Sequence, residues 1–385
     1  MIVPDWIWFA FIFAFGCCVG SFLNVVIYRL PLDMSLVRPG SRCPACSRHI
    51  RFYDNIPLIS WLLLKRKCRY CKAPISVRYF VIELLTGAVF TLLFFIYFHT
   101  DLRGGIGSFL NGGWLIYLAS IVLAGGFIAA SAIDLQLWVI PINICWLVAA
   151  VGIIVSAAGG YVMEPALIRA YSLFPTATAA TGLPALGAGI GLAISCTLLA
   201  GGVIKRSYDS QTDDQQPAPG GQVQIDHRCE MLKEVVFLLP IVVCAAGAYL
   251  LGRFLAVSSP SLYNGWANFS ARPVISGLLG SVCGFFVGGG VVWATRILGT
   301  LGFGKEAMGL GDVHLMAAAG AVIGPVPAIA AFFIAPFFGL VWGAYSMFFK
   351  KSRQIPYGPF LSLAVFMVII LHDRILNYWD FMLCR

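Results

Sequence analysis

Long apolar runs separated by short polar segments dominate the chain. Several of them reach about 20 residues, the length that a helix needs to cross a hydrocarbon core roughly 30 Å thick. The pattern predicts ten membrane spans, near residues 6–28, 79–98, 113–133, 138–158, 182–204, 234–256, 273–294, 312–323, 326–348 and 357–372. The eighth run is short, and Pro and Gly interrupt the last two, so nine to eleven spans fit the pattern. The first run is too long for a cleaved signal peptide, which indicates a retained span.

Composition supports this interpretation. Hydrophobic residues make up 59% of the chain and charged residues only 11%, which argues against a soluble enzyme of 385 residues. We therefore expect an all-α fold, a polytopic membrane helical bundle of about ten spans.

The basic residues indicate the orientation of this bundle. Twenty of the 26 Lys and Arg residues fall in four segments between spans, 29–78, 205–233, 295–311 and 349–355, and the first of these carries eleven. With ten spans, all four segments lie on one side, which the positive-inside rule makes cytoplasmic. The excess of positive charge then reflects orientation and contact with anionic lipid in the bilayer, and we expect no nucleic-acid partner.

Two aspartates stand at the ends of apolar runs. Asp134 lies between the third and fourth runs, and Asp312 opens the eighth. Ionisable groups at membrane depth are costly, so they favour a functional interpretation. Two carboxylates brought together can share one proton and activate water, which is the chemistry of aspartic proteases. The alternative is that the two aspartates are unrelated acids at helix ends.

Four of the twelve cysteines form a pattern. Cys43-Pro-Ala-Cys46 and Cys68-Arg-Tyr-Cys71 are two CxxC pairs separated by 21 residues, within the most basic segment of the chain. Two such pairs can supply four thiolates in a tetrahedron around Zn²⁺. Because four thiolates leave no open coordination position, the metal should be structural. A redox-active CxxC pair is the competing interpretation.

Two weaker features lie in the first two spans. Gly20-Ser-Phe-Leu-Asn24 ends the first span, where small residues commonly allow close helix packing. Glu83 is an acid one turn into the second span, and it serves either as a helix-end anchor or as part of a binding pocket.

Several blocks of sequence, taken in order, resemble the type IV prepilin peptidases, also called prepilin leader peptidase/N-methyltransferases. The blocks are Gly20-Ser-Phe-Leu-Asn-Val-Val-Ile-Tyr-Arg-Leu-Pro31, Arg42-Cys-Pro-Ala-Cys46, Asp54-Asn-Ile-Pro57, Ser60-Trp-Leu62, Cys68-Arg-Tyr-Cys71, Tyr79, Glu83-Leu-Leu-Thr-Gly87, Ile133-Asp134, Pro141, Glu306-Ala-Met-Gly-Leu-Gly-Asp312-Val-His-Leu315 and Pro356-Tyr-Gly-Pro-Phe360. They cover most of residues 1–141 and 300–372.

The resemblance implies a membrane aspartyl endopeptidase of the GxGD type, with Asp134 and Asp312 as the catalytic pair. Gly309, Gly311 and His314 would belong to the catalytic loop, and His314 stands where many members have Lys. The implied substrate is the leader of a type IV prepilin or pseudopilin, cut after Gly at the cytoplasmic face of the bacterial inner membrane. Such processing serves type IV pili and type II secretion.

A second activity is also implied by the resemblance. Many members use S-adenosylmethionine to methylate the new N-terminus. In this chain the candidate residues for a methyltransferase or substrate pocket are Gly20, Asn24, Lys67 and Glu83. The implied cofactors are thus structural Zn²⁺, held by the four cysteines, and S-adenosylmethionine.

The predicted organisation has five parts. They are a first transmembrane span (1–31), a cytoplasmic zinc module (32–78), helices carrying Asp134 (79–158), an inserted region with two extra spans and the polar linker Ser207–Val223 (159–272), and helices carrying Asp312 (273–385). The two acids are 178 residues apart, further than is usual in the family. An even number of added spans keeps Asp312 on its original side of the membrane.

Two other hypotheses compete with a bifunctional peptidase. One is a peptidase that has lost methyl transfer, since Arg66-Lys67 stands where a Gly-Lys pair is common in the family. The other is a proton or cation transporter with Asp134, Glu83 and Asp312 as a relay. A transporter should show inverted repeats, and we find no convincing similarity between the halves of the chain.

Overall fold

A computed structural model describes residues 4–100, 102, 109–163, 174–205, 207, 227–349, 356–372 and 374–375. These residues form helices and connecting loops, with two isolated β-bridges in the cysteine-rich segment and no strand. The all-α fold expected from the apolar runs is confirmed for this part of the chain.

Twelve α-helices, numbered here in chain order, account for most of the described residues. They are α1 (Asp5–Arg29), α2 (Ile59–Leu63), α3 (Val77–Phe94), α4 (Trp114–Leu137), α5 (Ile142–Val162), α6 (Ala179–Ala200), α7 (His227–Ser258), α8 (Pro260–Ser270), α9 (Pro273–Phe303), α10 (Leu310–Ile323), α11 (Pro325–Phe349) and α12 (Gly358–Ile370). π-helical turns extend α3 through Phe95–His99 and precede α4 at Phe109–Gly113.

Eight of the described helices are long and apolar enough to cross a membrane, namely α1, α3, α4, α5, α6, α7, α9 and α11. The apolar helices α10 and α12 have 14 and 13 residues. At 1.5 Å per residue they are only about 20 Å long. Each of the ten predicted spans thus corresponds to one helix, and the two short helices fall at the eighth and tenth.

Close backbone contact joins α9 to α10. A Cβ built on Gly284 of α9 would overlap the carbonyl oxygen of Gly320 of α10, and a Cβ on Gly320 would overlap that of Gly284. Beside this point, the Ser281 hydroxyl donates a hydrogen bond to the Ala321 carbonyl at 2.5 Å. Small residues at the crossing let the two backbones touch, as in many membrane helix pairs.

The eight long helices differ in how deeply they are buried. The apolar stretch of α4 is the most buried of the eight, and that of α7 is the least buried. Helix α4 therefore lies at the centre of the bundle, while most of α7 lies at its periphery, packed mainly along α6.

Helices α6, α7 and α8 fall within the predicted insertion, 159–272. Two of them, α6 and α7, are long and apolar enough to cross a membrane. The linker predicted over Ser207–Val223 lies outside the described residues except for Ser207. The boundaries of the insertion remain a prediction.

Candidate functional site

The two aspartates occupy opposite ends of two different helices. Asp134 lies in the last turn of α4, which ends at Leu137 because Trp138 adopts a left-handed conformation with φ of 59°. Asp312 lies in the first turn of α10, with Gly309 as its N-cap residue. Both side chains are buried, with 6% of Asp134 and 7% of Asp312 exposed. A buried acid with so little access to water requires specific partners.

Asp134 has its partner at the start of α12. The backbone N–H of Gly358 donates a hydrogen bond to Oδ2 of Asp134 at 3.1 Å. A Cβ on Gly358 would lie 2.8 Å from the same oxygen, closer than real Cβ atoms approach. The glycine therefore lets backbone reach the carboxylate where a side chain would collide with it.

Ile140 joins the segments that carry the two acids. It lies in the loop after α4, and a Cβ on Gly311 would come within 2.8 Å of the Ile140 Cβ. A Cβ on Gly358 would lie 3.2 Å from the Cδ1 of Ile140. The starts of α10 and α12 thus converge on this one side chain, next to the end of α4.

Because these segments converge, the two carboxylates are close enough to interact electrostatically. The charge of Asp134 acts on Asp312, which also accepts a backbone hydrogen bond from Gly309. Tyr357, the residue before Gly358, lies within electrostatic range of Asp312. The structure therefore brings together Asp134, Asp312, Gly309 and Gly311 of the predicted site.

His314 lies apart from this convergence. It is the fifth residue of α10, and at 3.6 residues per turn it stands about 200° around the helix from Asp312. Its ring centroid lies 6.5 Å from that of Trp146 on α5. The structure thus places His314 against α5, within a helix rather than in a loop.

The four patterned cysteines also come together. Every pair of their Sγ atoms lies within 4.8 Å, and the Sγ atoms of Cys43 and Cys71 are 3.7 Å apart. A tetrahedron with Zn–S bonds of 2.3 Å has an edge of about 3.8 Å. The spacing of the four thiols therefore fits one tetrahedral metal ion, and the donor set is the one that structural zinc prefers.

The two CxxC pairs are built as matching knuckles. In the first, the Cys43 N–H donates to the Arg48 carbonyl at 3.0 Å, and in the second the Cys68 N–H donates to the Ala73 carbonyl at 2.8 Å. The residue after each second cysteine, Ser47 or Lys72, has a positive φ of 55° or 56°. The same backbone turn, formed twice, presents four thiols inward.

Backbone donors in the second knuckle favour a thiolate. Hydrogen bonds from the backbone of Cys71 and Tyr70 lower the pKa of the Cys68 thiol to about 6. The thiolate form is the one that ligates a metal.

Nearby, Arg69 contacts Asp54 at 2.5 Å and holds the pKa of that carboxyl below its usual range.

Glu83 anchors this module to the membrane helices, while Asn24 and Gly20 join α1 to α3 beside it. Oε2 of Glu83 accepts a hydrogen bond from the backbone N–H of Leu58 at 2.8 Å, and Leu58 has a φ of 58°. Nδ2 of Asn24 donates to the Tyr79 carbonyl at 3.1 Å. A Cβ on Gly20 would lie 2.7 Å from the Cα of Glu83.

Of the two interpretations of Glu83, this geometry is that of an anchor. Lys67 lies elsewhere, with its side chain exposed on the second knuckle.

A cavity of about 370 Å³ opens where the module meets α1. Its lining includes Ser21, Phe22, Arg29, Val37, Ser41 and Pro57. The Arg29 guanidinium donates to the carbonyls of Ser35 and Pro39 at 2.9 and 2.7 Å, which holds the loop around the cavity. Its volume lies within the range of small-molecule sites, roughly 300–1,000 Å³.

Two residues near the aspartates were not singled out in the sequence. Gly358 lies in a block that carried the family resemblance, but nothing local pairs it with Asp134, 224 positions away. Arg296 was counted only as a basic residue that indicates orientation. The sequence does contain a signal, because Arg296 interrupts an otherwise apolar run; its burial, at 1% exposed, comes only from the structure.

Fold and site together define a polytopic membrane protein with two neighbouring buried aspartates and a four-cysteine module. The profile of the Bacterial Peptidase A24 N-terminal domain matches residues 14–97, and that of the Type IV leader peptidase family matches residues 236–344. In these two ranges the chain is similar to the type IV leader peptidase family. The first range contains all four patterned cysteines and the second contains Asp312, while Asp134 lies between the two.

The names of similar proteins are consistent with this family. The chain is 47% identical over 134 residues to the prepilin leader peptidase/N-methyltransferase of Myxococcus xanthus (34% of this chain, 36% of the relative). It is 40% identical over 139 residues to the type 4 prepilin-like proteins leader peptide-processing enzyme of Escherichia coli O78:H11 (31% and 46%). It is 33% identical over 181 residues to the prepilin leader peptidase/N-methyltransferase of Aeromonas hydrophila (41% and 58%).

These alignments therefore span between about a third and three fifths of the relatives' own lengths. No solved structure matches the chain.

Proposed function

We propose that this protein is a membrane aspartyl endopeptidase that removes the leader of type IV prepilins or pseudopilins. The observation that carries the proposal is the convergence of Asp134 and Asp312, from helices α4 and α10, onto the Ile140 loop and the start of α12. The match to the leader peptidase family and the names of the relatives support the choice of a peptidase and of prepilins as substrates.

The chemistry follows from two acids that share one proton. The ionised carboxylate takes a proton from water, whose oxygen attacks the scissile carbonyl carbon, while the protonated carboxyl gives its proton to the carbonyl oxygen. The resulting diol collapses as the C–N bond breaks: the leaving amine takes up a proton from the carboxyl that accepted one, and a diol hydroxyl returns its proton to the other carboxylate, which restores the pair. The N–H of Gly358 fixes the orientation of Asp134 throughout.

The position of the pair suits a substrate with a hydrophobic segment next to its leader. Asp134 and Asp312 lie at the ends of apolar helices, where water and peptide can both arrive. We place this end of the bundle at the cytoplasmic face of the inner membrane, because the segments rich in Lys and Arg lie on the same side.

We assign the second activity, methylation of the new N-terminus from S-adenosylmethionine, to the end of the bundle that carries the cysteine module. Two relatives carry both activities in their names. The cavity beside Ser21 and Arg29 has the size for a small-molecule donor. Cys43, Cys46, Cys68 and Cys71 would hold Zn²⁺ there, which would give the module its fold.

Substitution of the two aspartates tests the peptidase. Asp134→Asn and Asp312→Asn should each abolish cleavage of a prepilin by the purified protein, because each leaves half of a shared-proton pair. Zinc content and thermal stability should stay near those of the wild type. Asp33→Asn, at an exposed loop acid, serves as the matched control and should cleave normally.

The same reactions, supplied with labelled S-adenosylmethionine, score label transfer separately on a peptide that is already cut. Cleavage above a few per cent of wild type in either aspartate variant would contradict the paired-acid mechanism. Normal cleavage without label transfer would support the peptidase assignment and contradict the methyltransferase assignment.

A further inference from the structure

Arg296 is the most deeply buried charged residue of the described chain, with 1% of its side chain exposed. It lies two turns before the end of α9, in a helix that is otherwise apolar and rich in glycine. An unpaired buried guanidinium would be strongly destabilising, so its partners must compensate for the lost water. Those partners come from two separate parts of the chain.

The first partner is Glu234, on helix α7. Nε of Arg296 lies 3.3 and 3.2 Å from Oε1 and Oε2 of Glu234, and Nη2 lies 3.1 Å from Oε1. Glu234 is 3% exposed, and its Oε2 also accepts a hydrogen bond from Nε1 of Trp293 at 2.7 Å. The hydroxyl of Ser207 donates to Oε1 at 3.3 Å. The carboxylate is therefore held on several sides.

The second set of partners is the segment that leads into Asp312. Nη1 of Arg296 lies 2.6 Å from Oε1 of Glu306 and also donates to the carbonyl of Met308. The N–H of Ala307 donates to the Thr300 hydroxyl at 3.1 Å, which ties the same segment to α9 one turn later. Met308 is followed at once by Gly309, the N-cap residue of the helix that carries Asp312.

One guanidinium thus connects a helix of the predicted insertion to the loop of a candidate catalytic acid. Glu234 fixes the plane of the guanidinium from one side, and the other side of the guanidinium holds the Met308 carbonyl. Glu306 is 44% exposed and cannot replace a buried carboxylate as the counter-ion. Without Glu234, Arg296 would turn toward water or toward Glu306, and the loop would move with it.

We propose that Glu234 is a positioning residue for the peptidase, acting through Arg296 on the loop Lys305–Gly309. The inference rests on the proposed function, since it takes Asp312 as a catalytic acid. It gives α7, a helix of the predicted insertion, a role in the reaction that the sequence pattern did not reveal. Displacements of about 1 Å at reacting groups can reduce rates about hundredfold, so a loop positioned in part by this contact is sensitive to its loss.

Glu234→Gln is the direct test, since it removes the charge and keeps the shape. The kcat for cleavage of a prepilin should fall by about tenfold to hundredfold, with KM changed less than about threefold, because positioning acts on the reacting atoms and not on substrate binding. Glu234→Asp should recover part of the loss. Arg296→Lys should be impaired like Glu234→Gln, because one ammonium cannot bridge two partners as a guanidinium does.

Glu230→Gln is the matched control. Glu230 lies one turn earlier on α7 and pairs with Lys233 at 2.6 Å. Its kcat should stay within about twofold of wild type, since neutralising a charge outside the Arg296 contact leaves the loop in place.

A double variant, Glu234→Leu with Arg296→Met, separates positioning from stability. Replacing a buried ion pair with apolar residues is often neutral for folding, so its melting temperature should stay near that of the wild type. Its kcat should nevertheless remain as low as that of Glu234→Gln, because the Met308 carbonyl has lost its donor. Recovery of wild-type kcat in the double variant would overturn the proposal and leave the pair a structural contact.

Hydrogen exchange gives a readout that is independent of cleavage. Amides of residues 304–309 should exchange faster in Glu234→Gln than in wild type or Glu230→Gln, and unchanged exchange there would also overturn the proposal. If the loop responds as expected but wild type cleaves no prepilin, the peptidase assignment fails and the structural link stands. If wild type cleaves and Glu234→Gln has normal kcat, only the positioning role fails.

Discussion

Gly358→Ala tests how closely the backbone must approach Asp134. The added Cβ would lie 2.8 Å from Oδ2 and 3.4 Å from Cγ of Asp134. Because ordinary contacts begin near 3.4 Å, the carboxylate oxygen must retreat by about 0.6 Å. That movement also stretches or breaks the hydrogen bond from the Gly358 N–H, which is 3.1 Å long.

The size of the effect follows from that hydrogen bond. A hydrogen bond to a charged group contributes about 1.5–3 kcal/mol, and each 1.4 kcal/mol corresponds to about tenfold in rate. We therefore expect kcat for prepilin cleavage to fall by about tenfold to hundredfold. The helix itself should tolerate alanine, since Gly358 has no positive φ and alanine favours helix.

The assay compares kcat, KM and melting temperature with those of Gly290→Ala. Gly290 lies on α9, and a Cβ there would meet nothing within 4 Å. This control should match the wild type in all three quantities. A kcat within about twofold of wild type for Gly358→Ala would refute the argument, because the carboxylate would then tolerate the displacement without cost to the reaction.

Two further predictions concern regions away from the aspartates. The protein should contain one zinc ion per chain, and serine in place of Cys43, Cys46, Cys68 or Cys71 should release it and make residues 32–78 sensitive to protease, because metal binding stabilises so small a module. Elemental analysis and limited proteolysis check this, and a metal-free, protease-resistant preparation would contradict it. Zinc should be released in acid, because each ligating thiolate must take up a proton to leave the metal. Deletion of residues 208–224 should leave cleavage nearly unchanged, since shortening a polar loop costs little and Ser207 keeps its contact with Glu234; loss of cleavage with normal expression would mean that the linker contacts substrate.

Much of the fold could be predicted because a helix that crosses the lipid core needs a long run of apolar residues. Each apolar run became a helix, yet hydropathy placed some ends wrongly. The third predicted span stops at residue 133, whereas α4 continues to Leu137 with Asp134 buried inside it. The helix can continue because the carboxylate is satisfied by the Gly358 N–H, a partner that no local pattern contains.

The start of α7 shows the same effect. Its span was predicted from residue 234, but the helix begins at His227. Charged residues in that first stretch, among them Glu230 and Glu234, are paired with Lys233 and Arg296 rather than left exposed to lipid. A hydropathy pattern treats each charge as unpaired, so it places the start of the helix too late. The ion pairs of these residues allow the helix to begin earlier.

The cysteine cluster was predictable for a different reason. Its ligands come as two close pairs in sequence, and each pair needs only a local turn to present two thiols. Gly20 and Glu83 are a mixed case, since the resemblance suggested a pocket, and the structure has them in the contact between α1 and α3. Whether such residues line a pocket or join two helices depends on the packing of helices that are distant in sequence, and the spacing of residues along the chain does not reveal that packing.

The contact between α9 and α10 determines which parts of the bundle can separate. With Gly284 against Gly320 and the Ser281 hydroxyl bound to Ala321, these two helices have no gap to widen or groove to slide along. We expect these two helices to move as one unit, with Asp312 attached to it. Under the proposed function, we expect a peptide that enters between the acids to displace α4 and α12, so that Asp134 is the acid that shifts to receive it.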